Sequence, residues 1–181
     1  MKINPKGWVL GVALMLFSGC GYSTHVLVAN TGFRTIYIQP FVNRVDTTSE
    51  NSEGRRFQTY FPLLENTITN AVVDRFIFDG NLKIAKKEGA DLVLKGDLIN
   101  YRRESLRNST SDTPEEYRVT LFVNISLAET KSGKVLWEHN NFAGETSYFT
   151  TGSFTKSEAQ AITEATQDLA RRIVETTVEA W

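Results

Sequence analysis

Between Tyr117 and Ala128 the chain alternates side by side: Tyr117, Val119, Leu121, Val123, Ile125 and Leu127 interleave with Arg118, Thr120, Phe122, Asn124, Ser126 and Ala128. A period of two sends successive side chains to opposite faces of a β-strand, so this is a strand with one apolar and one largely polar face. A sheet covered by helices on both faces would bury both sets, and Arg118, Thr120, Asn124 and Ser126 require water or a polar partner. The pattern therefore restricts the chain to architectures in which helices cover one sheet face and leave the other available for contacts.

The remaining elements fit that restriction. Residues 34–42, RTIYIQPFV, are β-branched and aromatic, with Pro40 suited to a strand terminus or edge. Pro62 suits a first helical position, and Leu64, Ile68, Ala71, Val72, Arg75 and Phe76 follow at helical spacing until Asp79-Gly80 supplies a stop. Residues 82–87 predict a short strand, joined through Glu88-Gly89 in a hairpin to a longer one beginning at Asp91. After Tyr117–Ala128, a turn at Lys131-Ser132-Gly133 leads into a partner strand, 134–142, that carries Trp137. Thr155 and Glu158 stand at capping-box spacing before a stripe of Ile162, Ala165, Leu169, Ile173, Val174, Thr177 and Trp181, which predicts a long amphipathic helix. Two polar stretches, 43–56 and 104–115, lack apolar periodicity and read as exposed loops. The expected fold over residues 34–181 is one α+β domain, two helices packed on one face of a mixed or antiparallel four- to five-stranded sheet.

Ahead of this domain lies a leader. Lys2 and Lys6 precede about ten mostly apolar residues, Trp8 to Phe17, and Ser18-Gly19 precede Cys20, the only cysteine. That core is too short to span a bilayer, which takes about 20 apolar residues, and it reads as a secretory signal over residues 1–19. The segment Phe17-Ser18-Gly19-Cys20 resembles a bacterial lipobox, with Phe17 where that pattern prefers Leu. That resemblance implies that Cys20 is the lipidation site and residues 20–33 the lipidated tether, and, by the usual sorting of Gram-negative lipoproteins, that Gly21 rather than an acidic residue favours the outer membrane. One cysteine excludes an internal disulfide. Without Lys2 and Lys6 the chain keeps 18 basic against 21 acidic residues, the wrong balance for a generic nucleic-acid binder.

Catalytic patterns are missing. His25 and His139 have no cysteine neighbour and no ligand spacing, so no metal or cofactor is expected. No GxSxG elbow occurs, and Gly144 and Gly152 stand singly as turn residues. Asp91 and Asp97 read as two exposed strand-end carboxylates rather than an acid/base pair. The expectation is a protein that is not an enzyme.

Cys20-Gly21-Tyr22, the strand Ile36-Tyr-Ile38-x-Pro-Phe41-x-Asn43, the helix with Leu64-Glu65-Asn-Thr67-Ile-Thr69, Ala90-Asp91-Leu-Val-Leu-Lys-Gly96, Tyr117-Arg118 and Gly133-Lys-Val-Leu-Trp137 occur in this order. Together they resemble the lipopolysaccharide-assembly lipoproteins (LptE-like), over nearly the whole chain after the leader. The resemblance implies an outer-membrane lipoprotein that plugs a large β-barrel translocon (LptD-like), helps it assemble and assists lipopolysaccharide transport to the outer leaflet. Cations suit phosphates and acidic sugars, arginine best because its planar fork pairs two oxygens. The candidates for lipopolysaccharide are Arg102, Arg103 and Arg107 near one loop, Arg118 on the polar strand face, and Lys131 and Lys134 at the hairpin turn. The alternative is a lipid-anchored periplasmic module that activates a cell-wall synthase or belongs to a polysaccharide or fibre export complex. About a dozen residues separate Cys20 from the strand at Arg34, a reach of no more than about 50 Å, which favours a partner in the same membrane.

Overall fold

The computed structural model describes residues 32–45 and 61–179. Cys20, the leader, His25, most of the polar stretch 43–56, and Trp181 lie outside the described residues. The element order is β1 (Thr35–Ile38), β2 (Val42–Asn43), α1 (Leu64–Asp79), β3 (Lys83–Ile84), a 3-10 turn (Lys87–Gly89), β4 (Leu92–Asn108), β5 (Pro114–Glu129), β6 (Val135–Phe149) and α2 (Glu158–Glu179). The sheet runs β3-β1-β4-β5-β6, with β2 also on β4, parallel among β1 to β4 and antiparallel from β4 to β6. The α+β expectation holds, with two helices and one strand more than expected.

The extra strand comes from Pro40, which has no N–H to continue a ladder. The chain leaves β4 after Ile38 and rejoins it two residues past the proline, with Gln39 N donating to Leu94 O (2.9 Å) and Arg44 N to Leu98 O (2.8 Å) on either side of the break. The interruption turns Phe41 inward over Gly96, where a Cβ would come 2.1 Å from the ring. Only glycine lets that ring lie flat on the sheet.

The expected hairpin between residues 82–87 and the strand from Asp91 does not form. β1 lies between them, pairing Thr35 with Lys83 and Ile36 with Ile84 on one side, and Ile36 with Leu92 on the other, all parallel. Parallel neighbours need a crossover, which α1 supplies, whereas the short 85–91 segment only returns the chain to the same end of the sheet. Asp91 fixes that return. Its carboxylate accepts from Arg34 N (2.9 Å), Thr35 N (3.1 Å) and Thr35 Oγ1 (2.8 Å). It is thus a structural clasp and not a free strand-end group, and the Arg34 N–H and then the Thr35 hydroxyl hold its pKa below the usual carboxylate value.

Residues 104–115 are not a loop either. β4 continues to Asn108 and β5 starts at Pro114, so only a tight turn of five residues remains. The ribbon at this end extends past the helices, both its faces meet solvent, and nothing imposes an apolar period on it. This is the ribbon end of the sheet; the other, where Gly32–Arg34 enter, is the tether end.

Helix α1 buries Leu64, Ile68, Val72 and Phe76, and Gly80 (φ 76°) caps it by donating to Phe76 O at 3.0 Å. The helix begins two residues after Pro62 rather than at it. Helix α2 buries the foreseen stripe, Ile162, Ala165, Leu169, Ile173, Val174 and Thr177 among it. Its capping box is formed by Ser157 and Gln160, not Thr155 and Glu158: Gln160 N donates to Ser157 Oγ (3.2 Å) and Ser157 N to Gln160 Oε1 (2.9 Å). Thr155 instead donates to Gly152 O at 2.6 Å. Phe61 stacks edge-on to Tyr101 at 5.3 Å, just before α1, and Glu158 bonds Tyr101 at the start of α2, so both helices begin at the ribbon end and run towards the tether end.

Gly144 is not a turn residue. It sits mid-strand in β6 under α2, and a Cβ there would lie 2.4 Å from Leu169 Cβ and 2.5 Å from Leu169 Cα and N. The contact lets α2 guard the edge of β6, whose open backbone would otherwise invite another strand. Arg172 donates to Ala143 O, and Glu145 N donates to Asp168 Oδ2 at 3.1 Å.

Gly144→Ala is expected to cost about 3 kcal/mol in urea unfolding, near the upper range for overpacking. Adding Leu169→Ala will not restore the loss, because the clash includes the Leu169 backbone. For Asp91 the lowered pKa means a stabilisation fully present above the unfolded value near 3.8 and lost as the pH falls through the folded value. Asp91→Asn should therefore be less stable than the unaltered chain at pH 7, by about 1–2 kcal/mol for lost charge-assisted bonds, and the gap should close on acidification below about pH 4.

Candidate functional site

With both helices on one side, no described helix covers the opposite face of β4, β5 and β6. Cross-strand pairing arranges it as rungs. From the tether end these are Lys95–Ser126–Glu138, Asp97–Asn124, Asn100–Phe122–Ala143, Arg102–Thr120–Glu145, Glu104–Arg118–Ser147 and Arg107–Glu116–Phe149. Three irregularities build this set. Ile99 is an extra residue between Leu98–Val123 and Asn100–Phe122, so the core face passes from even to odd positions of β4. Leu98 and Tyr101 both point to the helices, and Arg102 turns outwards. Leu106 is a second extra residue and returns Arg107 to the open face. On β6 the third irregularity lies between the Ile125–His139 and Val123–Phe142 pairs, where Asn141 (φ 55°) donates its N–H to Asn124 Oδ1 at 3.0 Å.

Strand alternation sends the neighbours Arg102 and Arg103 to opposite faces, and the bulge at Ile99 decides which of them is on the open one. Arg102 lies on the open face, with its guanidinium 4.9 Å from the Phe122 ring centre and 3.3 Å from Glu104. Arg103 lies on the helix side, 2.5 Å from Glu158 and 4.7 Å from the Tyr117 ring centre. Arg107 pairs with Glu116 at 3.5 Å over Phe149, and Arg118 approaches Glu145 at 4.0 Å. Lys131 and Lys134 flank the β5–β6 turn at the tether end. From Arg118 that is about 40 Å along β5 at roughly 3.4 Å per residue. The six candidate cations therefore form no single site: three arginines share the ribbon half of the open face, Arg103 lies beneath it, and the two lysines are at the other pole.

Burial decides which arginines can exchange partners. The Arg102–Glu104 and Arg118–Glu145 side chains are 42–50% exposed, and such ion pairs contribute about 0–1 kcal/mol. A phosphate could replace either carboxylate at little cost. In Arg103–Glu158 the side chains are 19% and 22% exposed, and Glu158 also accepts from the Tyr101 hydroxyl at 2.5 Å. Burial, and then the bond to Glu158, raise the Tyr101 pKa, while burial and the Glu158 charge raise that of Tyr148. These tyrosines stay neutral and the cluster clamps the ribbon to α2.

Between the tether end and the Phe122 rung the open face dips into a hollow of about 300 Å³, lined mainly by polar groups that include Gln39, Arg44, Lys95, Asp97, Asn124 and Glu138. Arg44, which follows β2, pairs with Asp97 at 3.0 Å. Arg44, Lys95, Asp97, Phe122 and Glu145 were not singled out by the sequence as site residues. The one signal was Phe122, an aromatic in the polar half of the alternation. Among the described residues no group of three His, Cys, Asp or Glu could hold a metal ion.

Glu158→Ala is expected to cost about 3 kcal/mol in thermal or urea unfolding, because it leaves the Arg103 charge half-buried without its partner. Glu104→Ala, which removes an exposed partner of Arg102, should change stability by less than about 1 kcal/mol.

Solved structures share this fold. A protein from Xanthomonas campestris aligns with a TM-score of 0.57 at 14% identity, covering 83% of this chain and 90% of that one. A hypothetical protein from Chlamydia trachomatis aligns with a TM-score of 0.52 at 10% identity, covering 82% and 97%. At these identities the likeness establishes the fold alone. No curated protein matches the sequence. The family model for lipopolysaccharide-assembly proteins, LptE, matches residues 33–177, from the strand that Asp91 clasps to the last turn of α2. The chain therefore belongs to the LptE lipopolysaccharide-assembly family.

Proposed function

We propose that this protein is an outer-membrane lipoprotein, acylated at Cys20, that sits in the lumen of a large β-barrel translocon and assists lipopolysaccharide transport to the outer leaflet. The observation that carries the reading is the uncovered face of β4, β5 and β6. It offers charged and hydrogen-bonding rungs on a rigid support, with no helix over them among the described residues. The lumen of a large outer-membrane barrel is polar, and a sheet face of this kind complements it without burying unpaired apolar surface. Family membership supports the reading, and so does the short stretch between Cys20 and Arg34, which keeps the domain beside its own membrane.

On that reading the phosphates of the glycolipid meet Arg102 and Arg118, whose exposed carboxylate partners are readily exchanged, with Arg107 one rung further along. Arg103 holds the fold, and Lys131 and Lys134 are too distant to join the same headgroup.

Photo-crosslinking probes at Phe122 and Arg118, used in isolated outer membranes, should capture a large β-barrel protein. Capture of a cell-wall synthase or a polysaccharide-export subunit instead would overturn the proposal. Arg102→Glu with Arg118→Glu should weaken lipopolysaccharide binding about tenfold or more, as expected from the loss of two charge-assisted contacts and the gain of repulsion, with an unchanged circular dichroism spectrum. Equal binding by the double variant would sink the assignment of these two residues.

A further inference from the structure

Phe122 is the only aromatic among the open-face positions of β5, the even-numbered residues from Glu116 to Ala128. The core does not account for it. The ring is half-buried, but it belongs neither to the core cluster nor to the apolar residues packed against that cluster. Its rung neighbours are Asn100 and Ala143, one polar and one small.

What meets the ring is Arg102. This residue pairs with Thr120, two positions along β5, so ring and guanidinium are diagonal neighbours, a separation that an aromatic and a long side chain span. The guanidinium carbon lies over the ring, 4.9 Å from its centre. The bulge makes the contact. Without the extra residue at Ile99, Arg102 would point to the helices and Phe122 would stand without a cation.

A cation over a ring is held by the ring's charge distribution and not by an acceptor atom. Of the Arg102 donors, Nη1 reaches Glu104 at 3.3 Å, and the others bond no acceptor among the described residues. The fork is thus held in place with donors still to give. Arg118 differs, because its ion-pair partner Glu145 is 4.0 Å away and no ring lies beneath it among the described residues. Arg107 has a ring, Phe149 at 5.6 Å, but its partner Glu116 is only 17% exposed, so that pair is less readily exchanged.

We propose that Phe122 is a positioning residue, which holds the Arg102 guanidinium as a pre-set planar fork for two oxygens of one phosphate, while Arg118 supplies charge from a freely moving stem. The proposal rests on the phosphate reading of the open face in the preceding section. Arg102 is then the position that demands arginine, and Arg118 the one that accepts lysine. A guanidinium already held in place loses less freedom on meeting its ligand, an advantage of about threefold to tenfold in affinity.

The test measures binding of lipopolysaccharide, and of the same lipopolysaccharide dephosphorylated with hydrofluoric acid, to the protein isolated from membranes in detergent. Phe122→Leu should weaken binding of the phosphorylated form by about threefold to tenfold, with the circular dichroism spectrum and urea midpoint unchanged, and Phe122→Tyr should bind as the unaltered protein does. Arg102→Lys should weaken binding as Phe122→Leu does, and the two together should be no worse than either alone. Arg118→Lys should leave binding unchanged. Full binding by Phe122→Leu, failure of Phe122→Tyr to restore it, or losses from Phe122→Leu and Arg102→Lys that multiply would each overturn the positioning role. Equal binding of both lipopolysaccharides by the unaltered protein would count against the phosphate reading itself. The positioning is then judged on the free protein by nuclear magnetic resonance. There the Arg102 side-chain protons should carry an upfield ring-current shift that Phe122→Leu removes and Phe122→Tyr keeps, and its absence overturns the positioning whatever the face binds.

Discussion

The contact of Gly144 with Leu169 sets how close α2 can come to the sheet, and much of the structure depends on that distance. With hydrogen in place of a methyl group, the helix backbone rests on β6, and Leu169, Ile173 and Ala165 reach full burial against β5. The same approach brings Asp168 and Arg172 to the outer backbone of β6 at Glu145 and Ala143. A longer gap would leave a 15-residue edge strand with more of its hydrogen-bonding groups open, a template for unwanted pairing. One glycine therefore serves both core packing and protection of the edge.

Beyond the helices the sheet is shaped by single extra residues. Each bulge reverses which alternate side chains face the core, and the pair at Ile99 and Leu106 does so twice within β4. Between them, Tyr101 and Arg103 point to α2 and meet Glu158, while Arg102 and Glu104 point outwards. The result is a clamp on one side and a charge ladder on the other, built from adjacent residues of one strand. Exposure then sets their roles, since a half-buried pair is costly to break and an exposed pair is easily exchanged.

The faces and poles of the domain differ in what they carry. One face is closed by helices and holds the domain together. The other carries exchangeable arginines towards the ribbon end and a polar hollow nearer the tether. The tether end gathers exposed lysines that form no close ion pair among the described residues.

Sequence alone determined what depends on neighbours along the chain. The strict alternation in residues 117–128 fixed one covered and one uncovered sheet face, the period of 3.6 fixed both helices and their buried stripes, and Asp79-Gly80 fixed the end of α1. Family membership was likewise legible in the order of short motifs. Tertiary structure decided what depends on residues distant in sequence. Pro40 split one expected strand into two, β1 inserted itself where a local hairpin was expected, and strand pairing turned the polar 104–115 stretch into a ribbon. Gly144 looked like a turn residue because the helix that requires it lies 25 positions away at Leu169. Arg102 and Arg103 looked alike because charge carries no record of register. A bulge is visible only once the partner strand is in place, and it is the bulge that decides which of the two arginines lies on the open face and which one holds the fold.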